Sequence, residues 1–167
     1  MTNSAVRVAT FDELDTRTLY ALLKLRVDVF VVEQKCAYPE LDDRDQEPGT
    51  RHIWLPELPA LPALPAVPAV PAVPAQGGTP LAYLRLLHDP DGSLRVGRVV
   101  TAPQARGRGL TSHLMTAALE IIGTRPSHLD AQTQVVAMYE KYGYRVAGDE
   151  FVEDGILHTP MTRPACP

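Results

Sequence analysis

Six consecutive residues, Gln104-Ala105-Arg106-Gly107-Arg108-Gly109, combine the side chains and backbone freedom that hold a phosphate. Two glycines without a Cβ let a ligand approach the backbone, the first amides of a following helix have no intrahelical acceptor, and Arg106 and Arg108 add positive charge. A β-branched run (Val96, Val99, Val100, Thr101) precedes this turn and stops at Pro103; apolar residues at helical spacing follow it (Leu110, Leu114, Met115, Ala118, Leu119, Ile122). The pattern predicts strand, turn and helix, with a phosphate or pyrophosphate at the helix start. A P-loop is excluded because no lysine follows Gly109, and Ser112 and Asp130 meet a dinucleotide fingerprint only loosely. A Gly-x-Gly alone also fits an ordinary tight turn.

A second stretch, Cys36 to Gly49, is dense in acid, with Glu40, Asp42, Asp43, Asp45 and Glu47. A calcium loop is rejected, since Pro48 stands where the glycine belongs and Trp54 where the bidentate glutamate belongs. No metal site is expected. Two readings stay open for the loop: an acidic mouth that draws in a cationic amine, or a solvated surface. Cys36 and Cys166 make neither a disulfide framework nor a zinc site, and Cys36, with no histidine close in sequence, reads as an inert buried thiol.

The elements that must position these stretches fit one domain spanning 1–167. With 167 residues, 45% hydrophobic and 22% charged, the chain can bury a sizeable core. Its net charge of −4 argues against generic binding to nucleic acid or to acidic membranes. No leader-like stretch or long apolar run is present, so a cytoplasmic location is expected.

Ala5 to Phe11 alternates as a first strand. Asp15 caps a helix whose apolar stripe runs through Leu19, Leu22, Leu23, Val27 and Phe30 and ends near Val31 to Gln34; Arg26 and Asp28 fall outside the stripe and read as a solvated face. Arg51 to Leu55 is a second strand. Residues 55–75 then place proline at every third position from Pro56 to Pro74, which denies a sheet its donors and favours polyproline II, so this Pro/Ala-rich stretch is a low-complexity insertion. Its apolar edge could dock a partner or contribute to a homodimer contact, or have no role at all.

Leu81 to Leu87 and Leu94 to Thr101 complete an antiparallel meander, and the helix after Gly109 ends near Gly123. His128 to Gln132 is a fifth strand, parallel to the fourth after the helical crossover. A helix from Val135 to Tyr142 and a hairpin formed by Val146 to Val152 and Gly155 to Met161 close a mixed α/β fold around a single sheet.

The pattern Q/R-x-x-G-x-G/A, filled by Gln104, Gly107 and Gly109, resembles the acetyl-coenzyme A (acetyl-CoA) motif of the GNAT superfamily of N-acetyltransferases. The superfamily's last motif, Y-x-x-x-G-F/Y, is matched by Tyr139, Gly143 and Tyr144. The ElaA-like branch is resembled through Leu25 to Gln34, Cys36 to Asp42, Leu129 to Gln132 and Glu153 to His158. Two departures are the Pro/Ala insertion and Gln132, where many members carry asparagine.

The resemblance implies a mostly antiparallel sheet with strands 4 and 5 splayed apart and flanked by helices. It implies Val99, Val100 and Thr101 along the pantetheine, and Arg106, Gly107, Arg108, Gly109, Leu110 and Thr111 around the pyrophosphate. The activity implied is transfer of an acetyl group from acetyl-CoA to a primary amine, on a small molecule or a protein, by direct attack in a ternary complex. Tyr139 is the expected general acid, and Tyr142 and Tyr144 pack. For the base, Glu33, Glu40, Asp42 and His52 all qualify, with Glu33 and Asp42 placed in the candidate site, and a water chain stays open. A non-catalytic acyl-CoA sensor and an interaction module built on the Pro/Ala arm are the readings from other classes.

Overall fold

The computed structural model describes residues 6–56 and 79–165. Apart from Leu55 and Pro56, the Pro/Ala insertion lies outside the described residues, as does Cys166.

Among the described residues eight strands form one sheet in the order β1-β2-β3-β4-β5-β8-β6, with β7 also paired to β8. In chain order they are β1 (Arg7–Ala9), β2 (Arg51–Pro56), β3 (Pro80–His88), β4 (Leu94–Thr101), β5 (Ser127–Gln132), β6 (Arg145–Val146), β7 (Phe151–Glu153) and β8 (Ile156–Arg163). The helices are α1 (Thr16–Arg26), α2 (Leu110–Ile122) and α3 (Val136–Glu140). Among the described residues only the β4–β5 pair is parallel. Among the described residues no helix is long and apolar enough to cross a membrane.

The sheet has a core on each face. Alternate residues of β2 to β5 and β8 (Ile53, Leu84, Leu94, Val96, Leu129, Met161) pack with Leu114, Met115, Ala118 and Ile122 of α2. On the other face Tyr83, Val100 and Ala102 pack with Leu22, Leu25 and Val29. With both faces covered, β3 reads as a nearly continuous apolar run, every residue from Pro80 to Leu87 being buried.

Asp15 caps α1 as expected, accepting from the amides of Arg17 and Thr18 at 2.9 Å each. The helix does not run to Gln34 with uniform hydrogen bonding: Val27–Glu33 is π-helical, which rotates its side chains relative to the stripe read from sequence. Arg26 corrects the expectation of a solvated face. It is completely buried, because two buried carboxylates receive it. Asp28 is exposed and pairs with Lys24.

The final hairpin also differs from the expectation. Residues 147–150 leave the sheet, so β6 and β7 take separate halves of the β8 edge, opposite Thr162 and Met161 and opposite Ile156 to His158 respectively. α3 is short, preceded by a 3-10 turn at Thr133–Val135.

Candidate functional site

The site is built where β4 loses its neighbours. Opposite β3, Tyr83 faces Val100 and Arg85 faces Gly97, so a single β3 residue, Leu84, stands across from both Arg98 and Val99. This is a β-bulge, and Arg98 takes a left-handed φ of 52° within it. On the other side, β4 pairs with β5 only at Leu94–Ser127 and Arg95–His128. Beyond Arg95 the two parallel strands diverge, which leaves the Val96 to Thr101 side of β4 as an open strand edge.

The divergence opens into a cleft of about 800 Å³ that reaches Val99, Val100, Thr101, Arg106, Thr111 and Tyr139. At its end, Gly107 (φ 73°) and Gly109 (φ 72°) turn the chain into α2. A Cβ built on either glycine would stand in open space, so the left-handed backbone, not protein packing, explains glycine there, and the turn is open to a ligand. The open β4 edge and this bare turn at a helix start together fit an extended chain that ends in a pyrophosphate. Arg106 makes a bidentate ion pair with Glu33, at 2.7 and 2.9 Å, and its Nε donates to the Thr101 carbonyl at 3.3 Å.

Tyr139 of α3 is buried in the core cluster on the α2 side of the sheet yet lines the cleft. Its ring meets Tyr144 edge-on at 6.3 Å, and its hydroxyl has no hydrogen-bond partner among the described residues. Burial, with smaller contributions from Tyr144 and Tyr142, raises its pKa, so it keeps its proton at neutral pH. Tyr144, by contrast, shares a 2.9 Å hydrogen bond with Ser127 in the interior and is structural.

The acidic loop folds onto the bulge rather than into water. Arg26 donates from Nε to Glu40 and from Nη1 to Asp45 at 2.7 Å; Arg85 binds Asp42 bidentately, at 2.7 and 2.6 Å, and Asp45 at 2.9 Å. Arg98, held over the Tyr38 ring, reaches the Glu40 carboxylate and the Glu40 carbonyl, and the Tyr38 hydroxyl donates to Glu40. Three arginines thus face three carboxylates. Despite partial burial, hydrogen bonds and charge from Arg85 and Arg98 bring the Asp42 pKa down to about 2.

The two carboxylates expected at the base position therefore both have arginine partners, Asp42 in this network and Glu33 with Arg106. His52 is buried with both ring nitrogens engaged, by the Tyr83 hydroxyl at 2.8 Å and the Asp45 carbonyl at 3.1 Å. Cys36 is buried, in contact with the Gln34 and Asp154 carbonyls. Sequence reasoning gave no role to Arg98 or to His158, although both line the cleft. The bulge has no residue signature here. In the sequence His158 stood only at the end of the Glu153 to His158 segment that resembles the ElaA-like branch, with no role attached.

Among the described residues no group of three or more His, Cys, Asp or Glu side chains could hold a metal ion.

Residues 73–164 match the sequence family described as the acetyltransferase (GNAT) domain. A UPF0039 protein of Mycobacterium tuberculosis is 45% identical over 163 residues, 96% of this chain and 93% of that protein. Protein ElaA of Escherichia coli K12 is 31% identical over 159 residues, 90% of each chain. Among solved structures, an acyl-CoA N-acyltransferase from Pseudomonas aeruginosa superposes with a TM-score of 0.76 at 36% identity, covering 95% of this chain and 97% of that one. The crystal structure of Escherichia coli ElaA gives 0.77 at 29%, with the same coverage. Through its sequence, its splayed β4 and β5 and its glycine turn, this chain belongs to the GNAT acetyltransferase family, close to ElaA.

Proposed function

We propose that this protein transfers the acetyl group of acetyl-CoA to a primary amine by direct attack in a ternary complex. The observation that carries this reading is the cleft along the open edge of β4 at Val99 to Thr101, which reaches Arg106 and Thr111 on either side of the left-handed Gly107–Gly109 turn at the head of α2. Acetyl-CoA, when bound, supplies an acyl group activated as a thioester.

The chain's own residues divide the remaining work. The backbone of Val99, Val100 and Thr101 pairs along the pantetheine, and an amide near Val100 donates to the thioester oxygen as negative charge develops there. Arg106, Gly107, Arg108, Gly109, Leu110 and Thr111 surround the pyrophosphate, with Arg106 exchanging Glu33 for the ligand. The unpartnered hydroxyl of Tyr139 gives its proton to the leaving sulfur. Glu33 and Asp42, both ionised in arginine pairs, hold and orient neighbouring groups rather than take a proton.

Calorimetry with acetyl-CoA and coenzyme A, followed by thiol release over an amine panel, tests this. Micromolar affinity is expected, with turnover by the wild type and a loss of roughly 100-fold or more in Tyr139→Phe at unchanged acetyl-CoA affinity. Binding without turnover on any amine would favour the sensor, and no binding would overturn the reading of the turn.

A further inference from the structure

We propose that His158 is the general base that takes the proton from the acceptor amine, an inference that rests on the amine-acylation reading above. His158 lies on β8 opposite Gln132 of β5. Its neighbours along the strand, Thr159 and Met161, are buried, Met161 against α2, so alternation puts His158 on the other face of the sheet, where it lines the cleft.

The ring is held in one state. Nδ1 lies 2.9 Å from the carbonyl oxygen of Ile156. A carbonyl only accepts, so Nδ1 carries the hydrogen and the neutral imidazole keeps its lone pair on Nε2. Phe151 stacks on the ring, centroids 5.8 Å apart and planes 24° from parallel. Among the described residues Nε2 has no hydrogen-bond partner, whereas both nitrogens of His52 are engaged and Glu33, Glu40 and Asp42 are each bound to arginine. His158 is thus a proton acceptor in the cleft with a fixed tautomer and an available lone pair.

Nε2 takes the proton that the amine nitrogen sheds as its bond to the acyl carbon forms. The Tyr139 hydroxyl gives its proton to sulfur as the carbon–sulfur bond breaks. One proton then passes from the imidazolium to the phenolate through water, and both side chains return to their starting states. The charged groups on this wall are Asp130 of β5, engaged by Arg95, and Glu153 and Asp154 at the β7–β8 turn; Glu150 receives the neighbouring Thr159 hydroxyl.

Two measurements on the full chain test the assignment. In the wild type, ¹⁵N-histidine NMR should show His158 with hydrogen on Nδ1 and a bare Nε2, independently of any acceptor. An Nε2–H ring overturns the proposal. Over the amine panel, His158→Gln should lower kcat at least 100-fold with acetyl-CoA affinity within twofold, flatten the rise of rate with pH, and leave His158→Ala open to rescue by added imidazole. An unchanged pH profile, or acetyl-CoA affinity falling in step with kcat, also overturns it. If the wild type turns over no amine while His158 shows the Nδ1–H tautomer with a bare Nε2, the failure belongs to the amine-acylation reading and the proton acceptor stands.

Discussion

At the residue scale, glycine is required at position 109 for two separable reasons. Its φ of 72° strains any residue with a Cβ, and on the acetyl-CoA reading proposed above a phosphate needs the open space a Cβ would fill. Gly92, at φ 84° in the β3–β4 turn and likewise with open space around its Cβ position, carries the first requirement alone. Gly109→Ala and Gly92→Ala should each cost about 1–2 kcal/mol in urea unfolding. Only Gly109→Ala should also weaken acetyl-CoA binding, by tenfold or more in calorimetry; equal affinities in the two variants would remove the turn from the site. Residues of this kind were legible in the sequence, because Gly-x-Gly before an apolar-periodic helix states a backbone requirement locally. The acceptor side was not: Asp42 reads as a free acid in the chain, and only its approach to Arg85 and Arg98, more than 40 residues away in sequence, makes it a poor base.

At the element scale, the acidic loop, α1 and the β4 bulge are one unit joined by buried charge. Arg26 comes from the end of α1, Glu40 and Asp45 from the loop, Arg85 from β3 and Arg98 from the bulge. Arg26 was misassigned from periodicity because a helical wheel sees only the stripe, and a buried ion pair appears on it as a solvated position. Removing one member leaves the others buried without compensation. Arg26→Ala should therefore lower stability by about 3–5 kcal/mol. It should also loosen the bulge, seen as faster amide exchange at Arg98 and Val99. Lys24→Ala, which breaks the exposed Lys24–Asp28 pair on the same helix, should leave the urea midpoint where it is. If the two variants unfold together, the network does not hold the loop to β4. The splay of β4 from β5 was expected only through family resemblance, since strand order and local propensity say nothing of how long two parallel strands stay paired.

At the scale of the whole molecule, the buried charges and histidines set how the fold responds to acid, in two steps of different origin. His52 sits neutral in the interior: its Nε2–H donates to the Asp45 carbonyl, its Nδ1 accepts from Tyr83, and burial lowers its pKa. The unfolded chain binds a proton at this position near pH 6.5 and the folded chain does so only at lower pH, so stability is complete above about pH 6.5 and begins to fall below it. His88, also lowered by burial, adds to the same step. The second step belongs to Asp42, with Asp45 and Asp89 lowered in the same direction. Asp42 titrates near 3.9 when unfolded and at about 2 when folded, so its contribution, about 2 kcal/mol, is present above pH 4 and disappears as pH falls through 2. Urea midpoints measured from pH 8 to 2 should therefore be flat at first, decline below about 6.5, and decline again below 4. His52→Gln should flatten the first decline without moving the second, and Asp42→Asn should do the reverse. If both variants kept the wild-type slope in both windows, the acid response would have to come from charge repulsion across the surface, and the buried network would be electrostatically silent.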